Sequence, residues 1–142
     1  MTVKKHDLSF RMISAREISD NMLTNLCQIK DQHWPHGLDE QKTWWRENSE
    51  NRDELACLFL SGSLIAFLRL RDREIVINNQ ILPSRCITEV CVEESMRGQN
   101  IGRTLLENVI AVLERDFGGH GHLLCANDQL SFYKKCGMKV AD

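Results

Sequence analysis

The sequence predicts a mixed α/β domain, and three observations carry that reading. Between Glu54 and Val92 the chain is rich in apolar and β-branched residues, broken at Ser61-Gly62-Ser63 and Asn78-Asn79, which is the pattern of antiparallel hairpins. Downstream, Ile101, Leu105, Leu106, Val109, Ile110, Val112 and Leu113 recur at helical spacing and form one wide apolar face. A short apolar strand at 122–126 follows that helix, so an early meander gives way to a βαβ crossover. The length, 142 residues, suits one domain around one core.

Taken in order, residues 8–13 read as a first strand. From Ala15 to about Asp31 the apolar positions Ile18, Met22, Leu26 and Ile29 give a first helix. His33-Trp34-Pro35-His36-Gly37 breaks it, since Pro disfavours helix before it and Gly frees the backbone. A second helix runs from about Asp39 to Asn48 behind an acidic first turn. Strands at 54–60 and 64–70 flank the Ser-Gly-Ser turn. A further arm from residue 73 turns at Asn78-Asn79 and leads into a strand at about 85–92. The long helix ends at Gly118-Gly119. After the strand at 122–126 come a short helix at 128–136 and the start of a last strand at 138–140. The expected order is β-α-α-β-β-β-α-β-α-β, a mostly antiparallel sheet of six strands with four helices.

Composition narrows the function. Lys plus Arg is 18 against 20 Asp plus Glu, a net charge of −2, which excludes a generic basic nucleic-acid binder but leaves room for one small basic pocket. The longest apolar run, Leu55 to Leu60, is far below the roughly 20 residues that span a bilayer. Two early lysines have no apolar signal region behind them, so the expectation is a cytoplasmic protein without nucleic-acid or membrane partners. Six cysteines form no CxxC pair, which argues for free thiols in a reducing compartment.

The chemistry concentrates between Thr88 and Leu106. A strand ends in a loop holding Arg97, Gly98, Gln99, Asn100 and Gly102, and the loop enters the long helix. A helix start offers unpaired N–H groups and partial positive charge to an anion. Gly98 and Gly102 let backbone approach it, and Arg97 and Arg103 add charge. Alone, such a turn is equally an ordinary βα connection. It is not a nucleotide P-loop: residues 98–104 are one residue short, Arg103 replaces the lysine, and no acidic strand is placed to hold Mg²⁺.

The segment from Val90 to Leu106, VCVEESMRGQNIGRTLL, resembles the acyl-CoA-binding motif of the GNAT N-acetyltransferase superfamily. That motif is a strand ending V-x-V, here Val90-Cys91-Val92, followed by Arg/Gln-x-x-Gly-x-Gly/Ala, here from Arg97 to Gly102. Asn100 stands where the family usually has Gly, and Asn is the next most tolerant of left-handed backbone. LLCANDQLSFYKKCGM is similar to the family's second cofactor segment ending FYxxxGF, with Phe132, Tyr133 and Gly137 matching and Met138 in place of Phe. The resemblance implies a sheet splayed between strands four and five. Acetyl-CoA would bind along Val90, Cys91 and Val92, with its pyrophosphate on Arg97, Gly98, Gln99, Asn100, Ile101, Gly102 and Arg103 and its pantetheine arm contacting Asn127. It also implies acetyl transfer to a primary amine of a small molecule or protein by direct attack, without a metal. The alternative is a non-catalytic acyl-CoA-binding module.

Such a reaction needs a base for the amine, a donor for the thioester oxygen and a proton for the departing thiolate. Strand alternation puts Glu89, Cys91 and Glu93 on one face and Val90 and Val92 on the other. Glu89, a carboxylate in an apolar stretch, is the candidate base, with an ion pair to a neighbour such as Arg85 as the other reading. Glu93 and Glu94 read as solvated. Tyr133, the only tyrosine, is the candidate acid. The resemblance implies a backbone N–H near Val92 as the oxygen donor. Cys91 has no base beside it in sequence and reads as packing rather than as an acyl carrier. His33, His36, His120 and His122 lack a third ligand at metal spacing. On the acceptor side, Trp34 is the candidate substrate contact and one of the adjacent Trp44 and Trp45 is core. Asp39 and Glu40 either attract a cation or favour the helix start. Because only Met138 to Asp142 follow the second motif, a homodimer covering the C-terminal sheet edge is expected.

Overall fold

Side-chain alternation decides the layering. In β2 (Glu54–Leu60) Leu55 and Cys57 are buried in one cluster and Ala56 and Leu58 in another, so this strand is covered on both faces. The computed structural model describes Lys4, residues 7–117 and residues 121–140. One face of the sheet carries α1 (Asp20–His33) and α2 (Leu38–Asn48), whose Leu23, Leu26, Cys27, Ile29 and Trp45 pack on Cys57, Phe67 and Cys91. The other carries α3 (Ile101–Phe117), whose Leu105, Leu106, Val109 and Leu113 pack on Ala56, Leu68, Leu70 and Ile87. The short α4 (Leu130–Lys135) leads to Cys136, which joins the same cluster.

The strand order is sequential: β1 (Leu8–Ser14), β2, β3 (Ser63–Ile77), β4 (Gln80–Val92) and β5 (Gly121–His122). The first four are antiparallel, while β4 and β5 run parallel and pair only at Arg85–Gly121 and Cys86–His122. Gly121 suits this contact, because a Cβ there would lie 2.4 Å from Leu113 Cδ1 and make that side chain shift. The mixed, mostly antiparallel class expected from the sequence is therefore the observed one.

Several boundaries differ, each for a local reason. Helix α1 starts at Asp20 rather than near Ala15, because the Ala15 N–H bonds the Asp53 carbonyl and the Ser19 hydroxyl caps the Met22 N–H. The hairpin arm is longer than expected: β3 runs unbroken to Ile77 and turns at Asn78 and Asn79, both at positive φ, as a tight hairpin turn demands. The strand expected at 122–126 shrinks to Gly121–His122, and residues 138–140 form no strand, so the described residues hold five strands, not six. The edge on which the expected homodimer relied is thus not built by residues 138–140. The Gly118-Gly119 helix stop lies outside the described residues.

One irregularity positions the site. Arg69 pairs with Thr88 and Phe67 with Cys91, so Glu89 and Val90 together face the single residue Leu68. This is a β-bulge, and Glu89 sits in it at φ +56°. The bulge resets which residues face which helices: Ile87 packs toward α3 before it, and Val90 and Val92 do so after it.

Charge ties the α1–α2 face together. Asp53 is buried, accepts Nε and Nη2 of Arg71 at 3.0 and 2.7 Å and the Glu50 N–H at 2.9 Å, and its own carbonyl holds Ala15. Burial alone would raise its carboxyl, but the Arg71 bonds and the Glu50 N–H hold it below the ordinary range. A carboxyl lowered on folding stabilises above its unfolded value, about 3.9, and that contribution is lost as pH falls through the lower folded value. Asp53→Asn should therefore cost about 3 kcal/mol at neutral pH, leaving Arg71 with only the more exposed Glu50 as counter-charge. In urea titrations at pH 7 and pH 3, the gap between wild type and variant should narrow at the lower pH. An equal gap at both would show that Asp53 contributes shape rather than charge.

Candidate active site

Among the described residues no strand pairs with β4 on the β5 side beyond Cys86, and a cleft of about 770 Å³ opens there. Its walls explain themselves in sequence order. The Glu93 N–H bonds the Ile65 carbonyl, so by the two-residue period of an antiparallel ladder the backbone groups of Val92 point away from β3 and into the gap. The side chains of Val90 and Val92 form the apolar floor. Glu93 then caps a short 3-10 turn (Glu94–Met96) by accepting the Ser95 N–H, and the chain passes through Arg97 and Gly98 to α3.

The start of α3 has the shape an anion cradle needs. Gly98 and Asn100 are both left-handed, at φ +81° and +63°, and the Asn100 carbonyl receives the Thr104 N–H as the first helical bond. Asn100 thus does adopt the conformation for which relatives use Gly. At Gly102 a Cβ would come within 3.3 Å of the Phe132 ring and 3.6 Å of Val92, so glycine lets the helix start close onto both motifs. The opposite wall is α4: Tyr133 lines the cleft, with its ring edge-on to Phe132 at 5.1 Å. Burial first, and nearby Cys125, Cys136 and Cys91 next, raise the Tyr133 phenol above its usual value, so it keeps its proton.

Of the residues expected at the site, Val90, Val92, Arg97, Gly98, Asn100, Ile101, Gly102, Arg103 and Tyr133 line this one cleft. Five others do not. The Cys91 backbone faces Phe67, and its thiol is buried under α1 and α2, where burial first and the Glu89 charge next push it up to about 12. Gln99 is half-buried and does not line the cleft. Asn127 belongs to a separate shallow groove with Ser131 and Lys134. Trp34 is 43% exposed on the α1–α2 loop, its ring 5.6 Å from that of His33.

Glu89 is the fifth. Its Oε1 receives Lys30 Nζ at 2.9 Å and lies 3.5 Å from Arg69 Nη2, while the buried Oε2 has no hydrogen-bond partner. The expected alternative partner, Arg85, instead pairs with Glu54 and Asp72. Lys30 lies 3.6 Å from the ring of Trp44, and Arg69 is within 5.2 and 5.4 Å of Trp44 and Trp45. Trp45 is the core member of the tryptophan pair, as expected, and Trp44 is partly exposed. Asp39 and Glu40 lie with Trp44 around a small surface hollow on α2.

Sequence reasoning missed two contributors. Gln129, Ser131 and Lys135 of the α4 region line the cleft, but short polar helices carry no periodic signal. His33 also lines it, with its Nε2 3.3 Å from Val92 N, 3.1 Å from Val92 O and 3.1 Å from Arg97 Nη2. Nothing in a helix-ending histidine announces a contact 59 residues away. Among the described residues no group of three His, Cys, Asp or Glu side chains is placed to hold a metal ion, and His120 lies outside them. All six cysteines are free, and no helix among the described residues is long and apolar enough to cross a membrane.

This arrangement recurs in solved structures. The aminoglycoside N-acetyltransferase AAC(6')-Iy in complex with CoA superposes with a TM-score of 0.72 at 14% identity, over 95% of this chain and 90% of that one. Glucosamine-6-phosphate N-acetyltransferase from Arabidopsis thaliana gives 0.65 at 17% identity over 94% of each chain. A predicted acetyltransferase from Clostridium acetobutylicum, solved with acetyl-CoA, gives 0.66 at 16% identity over 95% and 92%. At these identities the likeness is one of fold. No curated protein matches the chain in sequence. Residues 19–138 do match the Acetyltransferase (GNAT) family, a span that includes the bulge, the cleft and both of its walls, and the chain belongs to that family.

Proposed function

We propose that the chain transfers the acetyl group of acetyl-CoA to a primary amine of a small molecule or protein, by direct attack in a ternary complex. The observation that carries the reading is the gap beside β4, which begins at the Val92 backbone groups that no described strand pairs and ends at the left-handed turn before α3. A pantetheine arm laid there would extend the sheet as an added strand. The pyrophosphate would meet the N–H groups between Gly98 and Arg103, with Arg97 and Arg103 beside it. The thioester oxygen would take the Val92 N–H, the donor that stabilises charge as the carbonyl is attacked.

The proton inventory follows from the walls. Tyr133, its phenol raised by burial, is a donor suited to the departing thiolate. Glu89 is the carboxylate on the acceptor side of β4; with Oε1 committed to Lys30 and Arg69, only the buried Oε2 is left to hold a water on the acceptor's path. The buried, strongly raised thiol of Cys91 speaks for direct attack over an acyl-enzyme route. Trp34, exposed beside His33, is the side chain we assign to acceptor contact.

Two outcomes test this. Acetyl-CoA or CoA at 100 times its Kd should stabilise the protein by about 2.7 kcal/mol, read as a rise in Tm, whereas ATP should not. A shift with ATP alone would replace acyl-CoA with a nucleotide as the ligand. Tyr133→Phe should lower kcat on the order of 10²-fold while acetyl-CoA binding, measured by calorimetry, stays the same. Full activity in that variant would move the acid elsewhere, and binding without turnover of any amine would favour a non-catalytic acyl-CoA module.

A further inference from the structure

The last turn of α1 places an imidazole where chemistry would occur. His33 Nε2 lies 3.3 Å from Val92 N and 3.1 Å from Arg97 Nη2, and both of these groups can only donate. The Val92 carbonyl also lies 3.1 Å from Nε2, but Arg97 Nε already faces it, so two donors against one acceptor assign Nε2 the acceptor role, with the ring hydrogen on Nδ1. Arg97 completes the set by directing its Nε to the Val92 carbonyl at 3.4 Å. The imidazole lone pair thus points at the strand edge and is held there by two donors.

We propose that His33 takes the proton from the acceptor amine, and that cofactor binding unmasks it for that task. The inference rests on the acetyl-transfer reading above, because both donors that hold Nε2 are groups acetyl-CoA would claim. The thioester oxygen would take the Val92 N–H, and the pyrophosphate would draw Arg97. With both bonds given up to the cofactor, the ring turns off the Val92 N–H and its Nε2 lone pair is left free beside the carbonyl carbon, on the α1 side. An ammonium N–H bond breaks toward Nε2, and the freed nitrogen pair bonds the carbonyl carbon. The C–S bond then breaks with its electrons on sulfur, which takes the Tyr133 proton. The proton shed by nitrogen on becoming an amide returns to Tyr133 through water, and His33 releases its own to solvent.

Glu89 then has a different part. Its Oε1 is committed to Lys30 at 2.9 Å and to Arg69 at 3.5 Å, and it is the carboxylate that Lys30 pairs with, so its charge serves the ion-pair network rather than a passing proton. Lys30 and His33 are three residues apart on one face of α1, so the Lys30–Glu89 bond fixes the helix end that carries the imidazole. Glu89 is in this account a positioning residue.

The test compares wild type, His33→Gln and Glu89→Gln in CoA release from acetyl-CoA, using ethylamine, spermidine, an amino sugar and a short peptide, with trifluoroethylamine as an amine already neutral at the assay pH. His33→Gln should lower kcat on the order of 10²-fold with alkylamines and much less with trifluoroethylamine. It should bind acetyl-CoA at least as tightly as wild type, since nothing then masks Val92. Unchanged kcat in His33→Gln alongside an active wild type overturns the proposal but leaves the acetyl-transfer reading standing. Wild type that binds acetyl-CoA yet acetylates none of the amines counts against that reading, and the ring then decides separately. The ¹⁵N signal of His33 Nε2 should move on saturation with acetyl-CoA, and a signal that stays put overturns the unmasking. Failure to bind acetyl-CoA at all removes both.

Discussion

The bulge at Glu89 and Val90 is the constraint on which the rest of the molecule depends. One extra residue in β4 bends the strand just after its last pairing with β5, and it exchanges the faces that the remaining residues present. Without it, Val90 and Val92 would fall on the α1 side and Cys91 on the cleft floor. Holding a non-glycine residue left-handed costs roughly 1–2 kcal/mol. The ion pairs of Glu89 with Lys30 and Arg69 oppose that cost at the same residue. A side chain is thus needed where a backbone argument alone would ask for glycine.

Those ion pairs also connect the two layers that the apolar cluster under α1 and α2 joins. Glu89 and Arg69 belong to the sheet, Lys30 to α1, and the rings of Trp44 and Trp45 cover both cations. Farther along β3, Arg71 repeats the arrangement with Asp53 at the start of β2. Charges this deep are costly singly and tolerable only as a set, so the helix pair and the sheet are held in one relative position. The mouth of the cleft inherits that rigidity, because His33 ends the same helix that Lys30 anchors.

Much of this was legible in the sequence, and the limits have physical causes. The α3 stripe, the Asn78-Asn79 turn and the Arg97–Gly102 loop are local patterns whose conformation is set by near neighbours, and the structure contains them where expected. The left-handed state of Asn100 was readable because few residues tolerate it. What escaped was set at long range. The shortness of β5 follows from a bend in β4, and the contact of His33 with Val92 joins residues far apart in the chain. The Arg85 partner proposed for Glu89 failed because the bulge turns Glu89 toward Lys30, while Arg85 is committed to Glu54 and Asp72. Alternation gave the correct faces for residues 89 to 93 but said nothing of the extra residue that makes those faces compatible with Ile87.

The placement of the three tryptophans has an optical consequence. Trp34, Trp44 and Trp45 all lie on the α1–α2 side of the sheet, and the α3–α4 side has no tryptophan. Emission from this protein is therefore a one-sided signal. Trp45 reports whether the first two helices remain packed, and Trp44 reports the stacked cations that can quench it. Trp34, beside His33, is the emitter nearest the mouth of the cleft. A fluorescence record of unfolding would follow the acceptor side alone, and the cofactor wall could loosen without a change in colour.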